Sequence, residues 1–400
     1  MVSTTPELES FIARLDDPDW LLASRRAAAA IEATSGAPRW DRTDASRLEP
    51  AAFALRGGGS VSLRLPEAAR GQGVLAAELG ELARREPQRV QAHLGRVVPA
   101  SAGRHEARNL AAHHGCLVHV PAGVVVAEPI EVTYRLDGGQ FHPRTVVVLE
   151  RGAEATVLQR VAGGPPADGE PALVTAVVEA ELADGARLRY IELQQWGEGV
   201  AAYATRQAVL GRDANVQWLL GEIGGGIVRA STTSVLVGAG SEALALLVFF
   251  AAGRQHLDLA ATLLHHGEHT NGLLLAKGVL AGTARTVYRG ISDIRRGAKG
   301  SDSQQKENTL HLGHGVRSDA IPALYIDEND LQAGHAATTG KVDPEQLFYL
   351  QSRGLPLREA ERLIVHGFFA PLLERVPLES VRQELTALVD AKIDRGLVAH

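Results

Sequence analysis

Fifteen histidines and one cysteine are the side chains of this 400-residue sequence that first suggest chemistry. Three histidine groups have spacings that a metal site could use: His113 with His114, His265 and His266 with His269, and His311 with His314. Adjacent residues of a strand point to opposite faces, so His265 and His266 cannot both reach one ion, and no ladder of acidic residues stands beside them to complete a ligand set. These histidines read as polar turn or core residues. Cys116 lies in the alternating run CLVHV without a cationic neighbour or helix N-terminus to activate it, and reads as a small buried hydrophobe. One cysteine excludes an internal disulfide and any zinc or iron-sulfur site held by several thiolates of these residues alone. The glycine runs Gly57 to Gly59 and Gly224 to Gly226 lack the Lys and Ser or Thr that complete a phosphate loop. No nucleophile elbow, zinc-protease helix or paired-carboxylate signature stands out, so an autonomous enzyme has little support.

The composition limits which elements can position such residues. Hydrophobic residues make up 45% of the chain but aromatic residues only 4%, so the core must be filled by small and branched aliphatics in regular layers, as in a β-solenoid. A net charge of −6 argues against a protein that neutralises many nucleic-acid phosphates. The first twenty residues lack the basic start and apolar run of a secretory signal. The longest apolar stretch, Ala243 to Ala252, falls far short of the roughly 20 residues of a membrane span and reads as a buried strand. A cytoplasmic protein is expected.

The pattern changes twice along the chain. From Pro6 to about His93 it is mostly helical, with helical spacing in Trp20 to Ala33 and Leu75 to Leu94. Between them, Pro50 and Gly57 to Gly59 suggest short strands around a mobile turn. After about Glu106, β-rich runs alternate with turns at Gly152, Gly185, Asp213, Gly238 and Gly297. Units that cannot bury their own apolar face must stack on neighbours, which favours a solenoid while a sandwich or barrel stays open. Helix returns at Asp343, where Asp343, Pro344 and Gln346 form a capping box and Gly354 supplies the stop. Two more helices follow, over Leu357 to Glu374 and along the stripe Leu378, Val381, Leu385, Leu388 and Ile393, so a small helical bundle is expected at this end. These textures divide the chain at 1–105, 106–340 and 341–400.

The densest set of motifs lies between Val287 and Phe369: YRGISDI, then PALYIDENDLQAGHAATTGKVD, LFYLQSRG and LIVHGFF, in that order. This segment resembles the C-terminal signature of the SufB/SufD family, and the likeness extends more weakly to VPAGVVVAEPI (Val120 to Ile130) and WLLASRRAA near the N-terminus. The resemblance implies a mainly β protein, a right-handed parallel β-helix flanked by N-terminal and C-terminal helical domains. It also implies a subunit of the Suf iron-sulfur cluster assembly scaffold. Such a subunit pairs with a SufB-like paralogue, docks the SufC-like ABC-type ATPase through its C-terminal region, and shares a transient iron-sulfur cluster with its partner. A homodimer is open when the subunit is isolated.

Single positions point to the SufD branch. The cysteine that SufB carries near the start of the phrase reading ENTLHLG here falls on Glu307, and Ala336 follows His335 where SufB tends to have Glu. Asn308 matches SufD, whereas the cysteine many SufD sequences place two residues before the histidine is replaced by Ala333. The resemblance gives His335 a role in nascent cluster formation, as an iron ligand shared with the partner. A neutral imidazole can ligate iron, and with an unperturbed pKa of about 6.5 it can also move protons. Without the resemblance, His335 reads as a hydrogen-bonded residue closing the last turn. Phe348, Tyr349 and Arg353 in LFYLQSRG are the expected SufC contact, since Tyr and Arg are enriched at interface anchors. The chain is thus expected to be a non-catalytic assembly subunit. A SufB-like main scaffold and a β-helical polysaccharide-active enzyme are the alternatives.

Overall fold

The computed structural model describes residues 6–55, 57–164, 169–313 and 315–396; His314 lies outside them. Two parallel sheets wind into a β-solenoid of about eight turns, with helices at both ends of the chain. One sheet runs from Ile130–Phe141 through six further strands to Leu331–Lys341. The other runs from His114–Val120 through six more to a last rung split into Arg317–Ala320 and Ala323–Ile326. Among the described residues no helix is long and apolar enough to cross a membrane.

The coils form because inward positions of each strand carry residues that stack in register. Tyr134, Tyr190, Trp218 and Phe249 fill the interior among valines, leucines and alanines, all essentially inaccessible to solvent. One corner of the solenoid repeats a single conformation. Gly152, Gly185, Asp213, Gly240, His269 and Gly300 all hold φ between 56 and 69°, and each donates its N–H to a carbonyl one coil further on, at 2.7–3.0 Å. Two corners differ from the expected turn residues. Gly240 and Gly300 hold the stacked left-handed position rather than Gly238 and Gly297, and His269 takes it without being a glycine, which a search for Gly-Ala turns passes over. Gly238 instead lies against backbone, where a Cβ would come within 2.0 Å of the Arg212 nitrogen.

The N-terminal region closes one end. Gly57–Arg64 pairs antiparallel with Ile130–Phe141, and Leu75–Glu78 pairs antiparallel with His114–Val120, so both sheets have a covered edge there. Two expectations are corrected. Gly57 to Gly59 is not a mobile turn but the start of a strand, where a Cβ on Gly59 would meet the Arg135 carbonyl oxygen at 2.1 Å. The single helix read over Leu75 to Leu94 is a short strand followed by helices Leu79–Arg85 and Pro87–His93, broken because the residue before a proline is driven from the helical region. A buried ion pair fixes this region to the solenoid. Arg144 Nε donates to Glu179 at 2.9 Å, its other nitrogens donate to Asn109 Oδ1 and the Val98 carbonyl, and Glu179 accepts the amides of Gly95, Val97 and Val98.

At the other end of the chain, Leu357–Leu373 and Glu379–Gly396 lie as a layer over the outer face of the first sheet rather than forming a bundle with its own core. Val365, Phe369, Leu372, Leu385 and Ile393 bury against strand residues such as Leu193, Leu219, Val248 and Phe250.

Removing one partner of the buried Arg144–Glu179 pair leaves a charge without compensation. Arg144→Ala is expected to lower stability by about 3–5 kcal/mol in urea unfolding, whereas Arg187→Ala, at an exposed pair with Glu154, changes it by less than about 1 kcal/mol.

Candidate functional site at the open end of the solenoid

The last rung has no such cover. Leu331–Lys341 pairs on one side with Ser301–Leu312, and no described strand pairs with its other side; the outer edge of Arg317–Ala320 and Ala323–Ile326 is equally unpaired. His335 sits in the middle of this edge strand, in register with Gln305, while Ala333 faces Ser303 and Ala337 faces Glu307. Ser303, Gln305 and Glu307 are buried on the inward side of their strand. In-register neighbours share a face, so Ala333, His335 and Ala337 continue that inward row onto a rung with no further coil above it. His335 is therefore exposed although it lies on the row that is interior everywhere else.

Towards this end the interior row holds few rings or aliphatics and is made of small hydrogen-bonding groups. His265 Nδ1 lies 2.8 Å from Thr270 Oγ1 and its Nε2 lies 3.1 Å from Ser303 Oγ. Ser303 donates to Ser292 at 2.7 Å, and Gln305 Nε2 donates to the same oxygen at 2.7 Å and to the Ala323 carbonyl at 3.2 Å. Burial holds the His265 imidazole down at a pKa of about 4, so it stays neutral. Two groups in this end are unusual. Gln305 Oε1, one strand inside His335, is buried without a partner, and burial lifts the Glu307 carboxyl to about 7 against a single hydrogen bond from Thr309. An exposed imidazole, a carboxyl that ionises near neutral pH and an unsatisfied acceptor thus share one end of the lumen. They can hold a proton and accept a donor brought by another surface, while among the described residues no group of three or more His, Cys, Asp or Glu side chains is placed to hold a metal ion.

The other singled-out residues fall elsewhere. Phe348, Tyr349 and Arg353 lie on or at the end of the helix Pro344–Ser352, which buries none of its residues; Phe348 is 73% exposed and Tyr349 56%. The Arg353 guanidinium rests over the Tyr349 ring at 5.1 Å. No hydrogen bond or ring contact joins these three to His335 among the described residues. Asn308, on the outer face, donates to Thr338 Oγ1 on the edge strand. Cys116 is buried in the interior of the opposite end, 3.5 Å from the Tyr134 hydroxyl, where burial pushes its thiol up to about 11. His113 is buried at the N-terminal seam, 3.1 Å from Arg25 Nη1 and 2.9 Å from the Leu110 carbonyl, and burial holds it well below the ordinary histidine range.

Two features are not evident in the residue pattern alone. Inside the solenoid, Arg206 is clamped between Glu192 and Glu222, and Glu192 in turn accepts from Gln159 at 2.9 Å. The available signal was the charge interrupting apolar strands, as Glu192 does in RYIELQ. Tyr325 and Ile326, 60% and 46% exposed, put apolar side chains on the open end where strand periodicity alone places them no differently from any other pair.

The fold is a parallel β-solenoid with antiparallel strands over one end and an exposed imidazole on the last described rung of the other. A family model described as SUF system FeS cluster assembly, SufBD core domain, matches residues 133–368, and the chain belongs to that family. It is 32% identical over 283 residues to the iron-sulfur cluster assembly protein SufD of Bacillus subtilis, covering 70% of this chain and 64% of that one. With SufB of the same organism it shares 29% identity over 312 residues, 77% of this chain and 66% of the relative. A SufBD family protein of Mycobacterium leprae is 33% identical over 284 residues, 70% of this chain but only 32% of its own length. The chain thus spans about two thirds of the Bacillus relatives and about a third of the mycobacterial one.

The Glu307 carboxyl ionises at a higher pH in the folded chain than in the unfolded one. Its contribution is therefore fully present below about pH 4 and is lost as pH rises through 7. Glu307→Gln is expected to stabilise the fold at pH 8 by up to about 3 kcal/mol and to leave it unchanged near pH 4, read from urea unfolding at the two pH values.

Proposed function

We propose that this chain is the SufD-type subunit of an iron-sulfur cluster assembly scaffold, an assembly partner rather than an autonomous enzyme. The observation that carries this reading is the uncovered rung Leu331–Lys341, which holds His335 on an interior row and leaves a sheet edge ready for another chain. A cysteine-bearing paralogue of the SufB type fits there. Glu307 and Ala333 stand at the positions where relatives place thiols, and the one cysteine of these 400 residues is buried far from this end. The chain then supplies imidazole and carboxyl while the partner supplies sulfur, and the cluster is the cargo that the two surfaces build between them. A pairing of this kind makes the open edge the partner interface, with Tyr325 and Ile326 as apolar anchors. The same edge admits a second copy of this chain when the paralogue is absent.

The exposed helix Pro344–Ser352 suits a separate role. Phe348, Tyr349 and Arg353 form an amphipathic patch on a helix with no buried residue, and we assign them to docking of a SufC-like ATPase.

His335→Ala is expected to leave folding and complex formation unchanged while lowering cluster assembly by the reconstituted complex about tenfold or more, followed by absorbance under anaerobic conditions. Unchanged assembly would return His335 to a purely structural place.

The two interfaces are expected to separate by mutation. Tyr325→Ala should weaken pairing with the paralogue by about 2 kcal/mol, roughly thirtyfold in Kd, and leave ATPase binding intact. Phe348→Asp should do the reverse in the same calorimetric titrations. Loss of both by either variant would sink the assignment of two surfaces.

A further inference from the structure

On the second sheet, one coil back from its open rung Arg317–Ala320, a cleft of about 370 Å³ lies between that sheet and the N-terminal segment around residues 42–47. Arg42 and Arg47 line it from the segment, Arg254 from the corner before His256–His265, and Arg285 from the first position of the next strand. Asp44 is the one carboxylate in the lining, and its Oδ1 is already occupied by the Ser46 amide at 3.0 Å and hydroxyl at 2.7 Å. Arg42 is paired with Asp319 at 2.8 Å. The side chains of Arg47, Arg254 and Arg285 make no hydrogen bond or ion pair with any described residue. Three exposed guanidiniums that form no ion pair line this cleft, with Asp44 acting on Arg47 through space, in a chain of net charge −6. Like charges gathered in one concavity raise its potential and are stabilised when an anion shares them.

The cleft is held in shape from several sides. His256 and Arg285 are in register on adjacent strands, so a single coil step separates them. His256 Nε2 lies 2.9 Å from the Thr43 hydroxyl, which itself donates to Asp258, so the N-terminal segment is anchored to the sheet at the cleft wall. Thr283 donates to the Gly253 carbonyl at 3.0 Å and steadies the corner that carries Arg254. Arg42 adopts φ 69°, a left-handed conformation seldom taken by a residue with a long side chain. His256 is held below the ordinary histidine range by burial, and among the charges facing it Asp258 opposes this while Arg47, Arg285 and Arg289 add to it.

We propose that this cleft binds a small multivalent oxyanion of the di- or triphosphate class. Guanidinium forks match phosphoryl oxygens in pairs, and several forks in one site favour an anion with clustered charge over a single carboxylate. The volume suits a compact ligand. Ile227 is the only aliphatic side chain of any size in the lining, and its only ring, the His256 imidazole, is tied at Nε2 to Thr43, so the polar lining favours a phosphate chain over a nucleoside. The cleft belongs to the second sheet and His335 to the first, and anion binding is read by titration rather than by cluster assembly, so the two readings can fail separately.

The test is calorimetric titration of the full chain with pyrophosphate at about 0.15 M salt. Saturable one-to-one binding is expected, weakening as salt rises. The double variant Arg254→Gln, Arg285→Gln should lose affinity by about tenfold or more. Arg187→Gln, at an exposed arginine of the other sheet, should bind as the parent does, and all three proteins should melt alike. Binding should also raise the His256 pKa in imidazole NMR spectra. The proposal is overturned by absence of saturable binding, by parental affinity in the double variant, or by citrate binding more tightly than pyrophosphate.

Discussion

Backbone hydrogen bonds passing from coil to coil hold a β-solenoid together, and at its two ends those bonds run out. This chain resolves its two ends differently. At the first coil, Gly57–Arg64 and Leu75–Glu78 turn antiparallel to the strands they meet and satisfy both sheet edges. At the last, Leu331–Lys341 and the broken rung Arg317–Ala320 with Ala323–Ile326 leave theirs unsatisfied. The whole functional reading depends on that asymmetry. His335 occupies an inward position on a strand with no coil beyond it, so it is accessible where its counterparts one and two coils back are not.

The lumen follows the same polarity. Its first coils set Tyr134, Phe141 and aliphatics around a buried chain of hydrogen bonds through Thr145, Gln159 and Glu192, and its last are lined by His265, Ser292, Ser303, Gln305 and Glu307. Buried polar groups cost free energy unless they are paired, and the serine and histidine network pairs most of them. Two exceptions, an unpartnered Gln305 oxygen and a Glu307 carboxyl lifted towards neutrality, sit next to the open rung, and others lie elsewhere, among them Glu222 Oε2 inside the solenoid and His142 Nε2 near the first coil. The Arg206 clamp deeper inside shows the contrasting solution, a charge compensated within the chain by two carboxylates.

Much of this arrangement is legible in the residues. Alternating aliphatic runs with regular turns favour stacked coils without separating them from a sandwich or barrel, Asp343 does cap the helix that follows by accepting the Glu345 amide, and Gly354 ends it in a left-handed conformation. The linear signal fails where long-range pairing overrides local preference. Gly57 to Gly59 looks like a flexible turn because nothing local reveals that Arg135 will approach too closely for a side chain. Leu75 to Glu78 has helical spacing yet becomes a strand because the edge of His114–Val120 needs a partner. The C-terminal stripes are amphipathic in either setting, so they could not disclose that their partner is a sheet rather than one another. His335 was visible only through its motif, since its exposure depends on the absence of a neighbouring coil and not on any residue beside it.

The antiparallel cover of the first coil carries a consequence for how the chain matures. During synthesis the N-terminal strands and helices emerge before any coil, and domains form in that order as the nascent chain leaves the ribosome. Each new coil can therefore deposit onto a template whose far side is already sealed, as in other quasi-one-dimensional folds. Only the growing edge is adhesive at any moment. The rung that stays adhesive is the last of the solenoid to be made, so the edge by which the coils grow becomes the edge left for a partner.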